Sequence, residues 1–272
     1  MNLSLSRSFP IAKAALAAAV ITCAFALACS LIGCASGGTD SSSADAGNTS
    51  ASTDGKTLRV AMELAYPPFE TKDDAGNPEG LAVDFIRDFG AAYGYDVQIE
   101  NTAWDGLIPS LQSDKADLVI SSMTITDERK QSVDFSDAYA MAQLAILANA
   151  DSGVASIDDL NQPGKKVAVK TGSTGDVYAT KNLTNAEIVR LADESACVTE
   201  VVQGKADGFL YDQLTIYRNH QANPDTTEAV FIPFQDAEEW GIAVKKGNTE
   251  LLDQLNAFIA QSKTDGEIDR LT

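Results

Sequence analysis

The chain has 272 residues, 44% of them hydrophobic, and a formal charge of −19. That length suits one large domain or two small ones, and the hydrophobic share is ordinary for a globular protein. The acidic balance excludes nucleic acid as a partner and suits a soluble, monomeric surface that stands off anionic membranes.

Arg7 and Lys13 precede an Ala-rich apolar stretch from Ala14 to Leu31, and no acid appears before Asp40. A basic start and an apolar core predict a signal peptide over residues 1–33. The stretch ends in Leu31-Ile32-Gly33-Cys34, which resembles the lipobox of bacterial lipoproteins. That resemblance implies cleavage before Cys34, with Cys34 lipidated and the remainder anchored outside the cytoplasmic membrane. Ala26-Leu27-Ala28-Cys29 is a second candidate, and length alone also admits an uncleaved membrane anchor. Cleavage removes two of the 20 basic residues and none of the 39 acidic ones, taking the charge from −19 to −21. Residues 34–55 are Ser, Gly, Thr, Asp and Ala with almost nothing to bury, so they read as a flexible tether.

Three of the four cysteines lie in this leader, and Cys197 is the only one in the folded part. An internal disulfide is therefore excluded there, and Cys197 reads as a small buried apolar residue. The single His220 removes most metal and Ser-His-Asp proposals, and no cofactor is expected.

From Lys56 onward strands and helices alternate. Leu58–Met62 reads as a strand, Leu81–Tyr93 as a helix with Ala82, Phe85, Ile86, Phe89 and Tyr93 on one face, and Val97–Asn101 as a strand. Asp105 is placed to cap a helix carrying Leu107, Ile108 and Leu111, and Asp117–Ser121 is the next strand. A second set follows: strand Val167–Lys170, helix Asp176–Lys181, strand Ile188–Leu191, helix Glu194–Gln203 and strand Gly208–Tyr211. Such alternation predicts mainly parallel sheets covered by helices. The run Leu111–Val119 parallels Val202–Leu210 after one gap, each with a helix end, a Lys-Ala-Asp turn and an apolar strand. Two αβ lobes result, with a cleft at the carboxyl ends of their strands. Tyr139–Ala148 and Phe231–Val244 are extended crossings that would form a hinge, and the last helix, Leu251–Ser262, would rejoin the first lobe. The expected division is lobe 1 over 56–142, lobe 2 over 143–235 and a return to lobe 1 over 236–272.

The most informative run is Val119–Arg129, an apolar strand ending in a hydroxyl-rich loop and one arginine. Hydroxyls and backbone N–H groups donate hydrogen bonds, and a guanidinium matches a carboxylate through two parallel bonds. This is chemistry for holding a small anion. Four other motifs accompany it: Tyr66-Pro67-Pro68-Phe69-Glu70, Trp104-Asp105-Gly106-Leu107-Ile108-Pro109, Val133-Asp134-Phe135-Ser136 and Gly241-Ile242-Ala243-Val244. Together they resemble the amino-acid-binding family of extracellular solute-binding proteins, which feed ABC importers.

The resemblance implies a two-lobed α/β fold of the periplasmic-binding-protein type II class. It implies that Arg129 pairs with the ligand carboxylate, with Ser122 and Thr124 from the same loop and Thr174 from the facing lobe. By the same resemblance Asp212 accepts the ligand ammonium, Tyr66 and Trp104 form aromatic walls, and Glu63 lines the side-chain pocket, favouring a polar or cationic side chain. The partners implied are a free amino acid and the permease subunits of an importer. Physical chemistry agrees, since a zwitterion leaving water needs both charges answered. Contacts split between lobes also make closure depend on ligand. The chain departs from the family at Gly175, where many relatives carry a larger polar or basic side chain, and at its Arg270-Leu271-Thr272 end, short of the aromatic tail many relatives have. Two other readings use the same scaffold: a dehydratase for carboxylated rings with Glu63 as the acid, and a sensor that reports ligand to a membrane partner.

Overall fold

The computed structural model describes residues 56–231, 233–266 and 268. The signal peptide, Cys29, Cys34, the tether and Arg270–Thr272 lie outside the described residues.

In chain order the first elements are β1 (Lys56–Met62), a small hairpin of β2 (Thr71–Lys72) and β3 (Pro78–Glu79), α1 (Leu81–Tyr93), β4 (Tyr95–Asn101), α2 (Leu107–Gln112), β5 (Leu118–Val119), β6 (Val133–Phe135) and β7 (Ala140–Ala142). Then come β8 (Leu144–Asn149), α3 (Ile157–Leu160), β9 (Lys166–Lys170), α4 (Thr174–Asn182), β10 (Glu187–Leu191), α5 (Glu194–Val202), β11 (Gly208–Asp212), α6 (Gln213–Ala222) and β12 (Thr227–Val230). β13 (Glu238–Trp240), β14 (Ala243–Lys245) and α7 (Thr249–Asp265) follow.

These strands form two five-stranded sheets, ordered β4-β1-β5-β14-β6 and β10-β9-β11-β8-β12. Both have one plan. Three parallel strands come first, a fourth runs antiparallel beside them, and a fifth pairs antiparallel with the fourth. The result is the two-lobed α/β architecture expected. β7 and β13 pair antiparallel between the sheets, with Trp240 opposite Ala140.

Most of the expected apolar face of α1 is used: Ala82, Phe85, Ile86 and Phe89 are buried, with Val83 beside them, but Tyr93 in the last turn is exposed and only its ring packs on Phe89. Gly94 ends the helix at φ 73°, and its N–H bonds the Gly90 carbonyl, a left-handed cap that glycine adopts without penalty. Leu251, Leu255 and Ile259 of α7 join Leu58, Val60, Phe85 and Phe89 in one core, so late residues complete the first lobe. Cys197 is fully buried in the second lobe.

The internal repeat is real in atomic detail. Lys115 and Ala116 both donate to the Ser110 carbonyl, and Lys205 and Ala206 both donate to the Glu200 carbonyl. The Asp117 carboxylate accepts from the Arg59 N–H at 2.8 Å and the Asp207 carboxylate from the Lys166 N–H at 2.8 Å. Each is also ion-paired with a basic residue of the same strand region, Arg59 or Lys165. Asp114 and Gly204, matched by the one-residue gap, both have positive φ, 57° and 67°.

Two local expectations need correction. Asp105 caps no helix: Trp104–Gly106 forms a short 3₁₀ turn, and the following helix has Gly106 at its N-cap with no side-chain bond. The strand expected over Asp117–Ser121 is regular only at Leu118–Val119. The backbone turns away directly after it, and Ser122 takes φ 46°.

Candidate functional site

The strands β1, β5, β9 and β11 all end at the cleft between the sheets. All eight residues singled out from the sequence line it: Glu63, Tyr66, Trp104, Ser122, Thr124, Arg129, Thr174 and Asp212. Glu70, Ser121, Ser173, Tyr211, Glu238 and Trp240 are among the further lining residues.

Arg129 sits at the start of a 3₁₀ turn after the hydroxyl-rich loop. Its Nη1 donates to the Thr124 carbonyl at 2.7 Å and its Nη2 to the Gly172 carbonyl of the other lobe at 3.1 Å. Burial lowers its pKa, while the Glu238 carboxylate nearby favours the charged form. Its guanidinium lies 5.2 Å from the Trp104 ring centre, within cation–π range.

Thr124 and Thr174 come from opposite lobes, yet their hydroxyls donate to the same oxygen, Oε2 of Glu238, at 2.9 and 2.8 Å. Gln235 donates to the other oxygen at 2.7 Å. Glu238 reaches this position because β13 is stitched to the loop: the Ile125 N–H bonds the Glu239 carbonyl at 2.8 Å. A side-chain carboxylate thus already rests among the donors, beside a guanidinium.

Asp212 ends β11 and begins α6. Its Oδ1 accepts from the Leu214 and Thr215 N–H groups, both at 3.0 Å, as an N-cap does. Its Oδ2 is buried with no hydrogen-bond partner among the described residues, and so is the Tyr66 hydroxyl. Burial raises both pKa values; the Tyr66 hydroxyl faces the Asp212 carboxylate as a weak donor, outside good hydrogen-bond geometry, and pulls the Asp212 value partly back down. A buried carboxylate oxygen without a donor is costly, and a cation entering the cleft would answer it. Tyr66 serves two purposes: it lines the cleft and packs into the core, stacked on Phe69 with ring centres 5.6 Å apart.

The Glu63 backbone N–H is fixed by Ser121 Oγ at 3.0 Å, and its carboxylate is ion-paired with Lys170 Nζ from the other lobe. Lys170 ends β9, is 3% exposed, and holds its ammonium 5.2 Å from the Trp104 ring centre. Glu70 is fully buried; Ser122 donates to its Oε2 at 3.2 Å and Oε1 has no partner. Burial drives its pKa well above the carboxylate range.

Lys170, Glu70 and Glu238 were missed by sequence reasoning. Glu70 closes the Tyr66–Glu70 motif, which was the available signal. Lys170 and Glu238 gave none, since a strand-end lysine and an acid in Asp236-Ala237-Glu238-Glu239 both read as solvated. Gly175 has a structural reason: a Cβ there would lie 2.4 Å from the Leu210 carbonyl oxygen.

Comparison with known proteins agrees with this geometry. The family model described as bacterial extracellular solute-binding proteins, family 3, matches residues 58–272. A probable histidine-binding protein of Neisseria gonorrhoeae is 35% identical, over 91% of this chain and 92% of its own. A putative binding component of an ABC transporter from Wolinella succinogenes, solved with lysine, superposes with TM-score 0.73 at 36% identity, over 79% of this chain and 93% of its own. An ancestral amino-acid-binding protein that is a precursor of cyclohexadienyl dehydratase gives TM-score 0.72 at 38% identity, over 79% and 92%. With nearly all of its described residues inside the matched region, the chain belongs to family 3 of the bacterial extracellular solute-binding proteins.

Proposed function

We propose that the cleft binds one free amino acid with a polar or cationic side chain and delivers it to an ABC permease. The carboxylate takes the place that Glu238 fills, held by the Thr124 and Thr174 hydroxyls beside Arg129. The ammonium meets Asp212 Oδ2, and Tyr66 and Trp104 wall the site. The observation that carries this reading is the convergence of donors from both lobes on one carboxylate. Relatives named for histidine binding, or solved with lysine, support a free amino acid as the ligand.

Because each lobe supplies part of the binding, ligand favours the closed arrangement over the open one. The strand pair β7–β13 is the natural hinge. Lipidation at Cys34, after removal of residues 1–33, would hold the protein at the outer face of the cell membrane as a monomer, ready to dock on permease subunits.

The test begins with a thermal-shift screen over the amino acids and cystine. Ligand at about 100 times Kd stabilises the folded state by ~2.7 kcal/mol, which raises Tm by roughly 5–10 °C for a protein of this size. Arg129→Ala then abolishes binding in calorimetry; unchanged affinity refutes the site. A dehydratase reading is favoured by one observation, the buried Glu70, its pKa raised by burial, in a cleft related to a dehydratase precursor. Turnover of prephenate or arogenate by the purified protein would establish it. Glu63 is poorly suited to that acid's task, because Lys170 already holds its carboxylate.

A further inference from the structure

Glu63, Glu70 and Trp104 line the same cleft as Arg129 and Asp212, and would meet the side chain of a ligand held by those two. By residue type alone that wall suits a cation, with two acids and an aromatic face. In the structure each part of it is already engaged or buried. Glu70 is fully buried, and burial favours its uncharged form. The Glu63 carboxylate is held by the Lys170 ammonium. Trp104 already has two cations at 5.2 Å from its ring centre, Arg129 and Lys170.

Lys170 does this from a buried position. It is 3% exposed at the end of β9, in the lobe opposite Glu63. Its charge also acts on Glu70 and on Glu194 behind it. Removing one partner of a buried ion pair is costly, because the other charge is left unanswered. A lysine or arginine side chain entering this end of the cleft would compete with Lys170 for one carboxylate and be repelled by it. An uncharged polar side chain meets no such conflict and can hydrogen-bond the paired groups.

We propose that Lys170 is a specificity-determining residue, a resident ammonium that takes the cationic position at Glu63. The wild-type cleft therefore selects amino acids with uncharged polar side chains and rejects lysine and arginine. Histidine, mostly neutral above a pKa of about 6.5, falls in the accepted class. This rests on the amino-acid reading above and narrows it.

The experiment is calorimetry of the full folded protein at pH 7.5 with glutamine, citrulline, lysine and arginine. Citrulline and arginine have nearly the same shape and differ in charge. Wild type is expected to hold glutamine or citrulline at least tenfold tighter than lysine or arginine. Lys170→Met unpairs Glu63, and the ratio of arginine to citrulline affinity is expected to rise at least tenfold. The double variant Lys170→Met with Glu63→Gln is expected to lose that gain, which a merely structural role for Lys170 would not predict. Should Lys170→Met fail to fold, Lys170→Gln retains a polar group and reads the same ratio. Tighter arginine than citrulline binding in wild type, an unchanged ratio in the folded Lys170 variants, or a gain that survives in the double variant each overturns the proposal. A folded wild type that binds no amino acid overturns the amino-acid reading itself, and this proposal with it.

Discussion

Asp212 has two oxygens with separable duties, and Asp212→Asn tells them apart. Capping by two N–H groups at 3.0 Å requires an acceptor at Oδ1, so the amide oxygen must stay there and the NH₂ must replace Oδ2. Asn caps about as well as Asp, and the lost helix-dipole attraction is worth ~0.3–1 kcal/mol. Removing a buried charge offsets part of that, so unfolding stability should change by less than about 1 kcal/mol. Ligand binding should fare differently. A charge-assisted hydrogen bond of ~1.5–3 kcal/mol is lost, and a donor now faces the ligand ammonium. A loss near 3 kcal/mol corresponds to roughly 150-fold in Kd. Asp212→Ala should lose the same affinity and a further ~1 kcal/mol of stability from the missing cap. Urea denaturation without ligand and calorimetry with it measure the two effects independently. The reasoning fails if Asp212→Asn binds as wild type does, or if it is destabilised as much as Asp212→Ala.

Burial and the Asp212 charge raise the Glu194 pKa to about 7. Between about pH 4.5 and 7 the folded state then holds a proton that the unfolded chain has released, so stability falls as pH rises through that window. At ~1.36 kcal/mol per pKa unit the fall reaches about 3 kcal/mol; Glu194→Gln should flatten it, and parallel pH profiles of the two proteins in urea melts would falsify this. Gly175→Ala drives a Cβ against the Leu210 carbonyl oxygen and should cost about 1–3 kcal/mol, seen as a Tm lowered by a few degrees; an unchanged Tm means α4 moves freely against β11. Asp117→Ala and Asp207→Ala each strip a backbone N–H of its acceptor and should each cost ~1–3 kcal/mol. They share no partner, so the double variant should show the sum; marked non-additivity in urea midpoints would contradict the separation of the two lobes.

Much of the fold was legible because its elements are locally consistent. α1 carries a helical apolar stripe, and the Lys-Ala-Asp turns announce the repeat that Asp117 and Asp207 realise. The site was legible where a residue type has one good use, as with Arg129 after a run of hydroxyls. What escaped depends on chain segments far apart. Lys166 and Lys170 end the same strand, one exposed and one buried, and only the lobe carrying Glu63 makes the difference. Glu238 sits in an acidic run, and its placement follows from β13 pairing with β7 and with the loop at Ile125. Asp105 fits the pattern of a helix cap, but the tight turn at Trp104–Gly106 takes its place.

The order of strands has a consequence for the order in which the two lobes can fold. β14 lies in the interior of the first sheet, between β5 and β6, yet it is formed by Ala243–Lys245. Until those residues have been synthesised, β5 and β6 have no common neighbour, and the core that awaits α7 stays open. The second sheet, by contrast, draws all its strands from one continuous run between Leu144 and Val230. Folding of the amino-terminal half is therefore delayed by topology alone, since distant pairing is slow. In chain order the second lobe's sheet is thus complete before the first lobe's is, although the first lobe begins earlier.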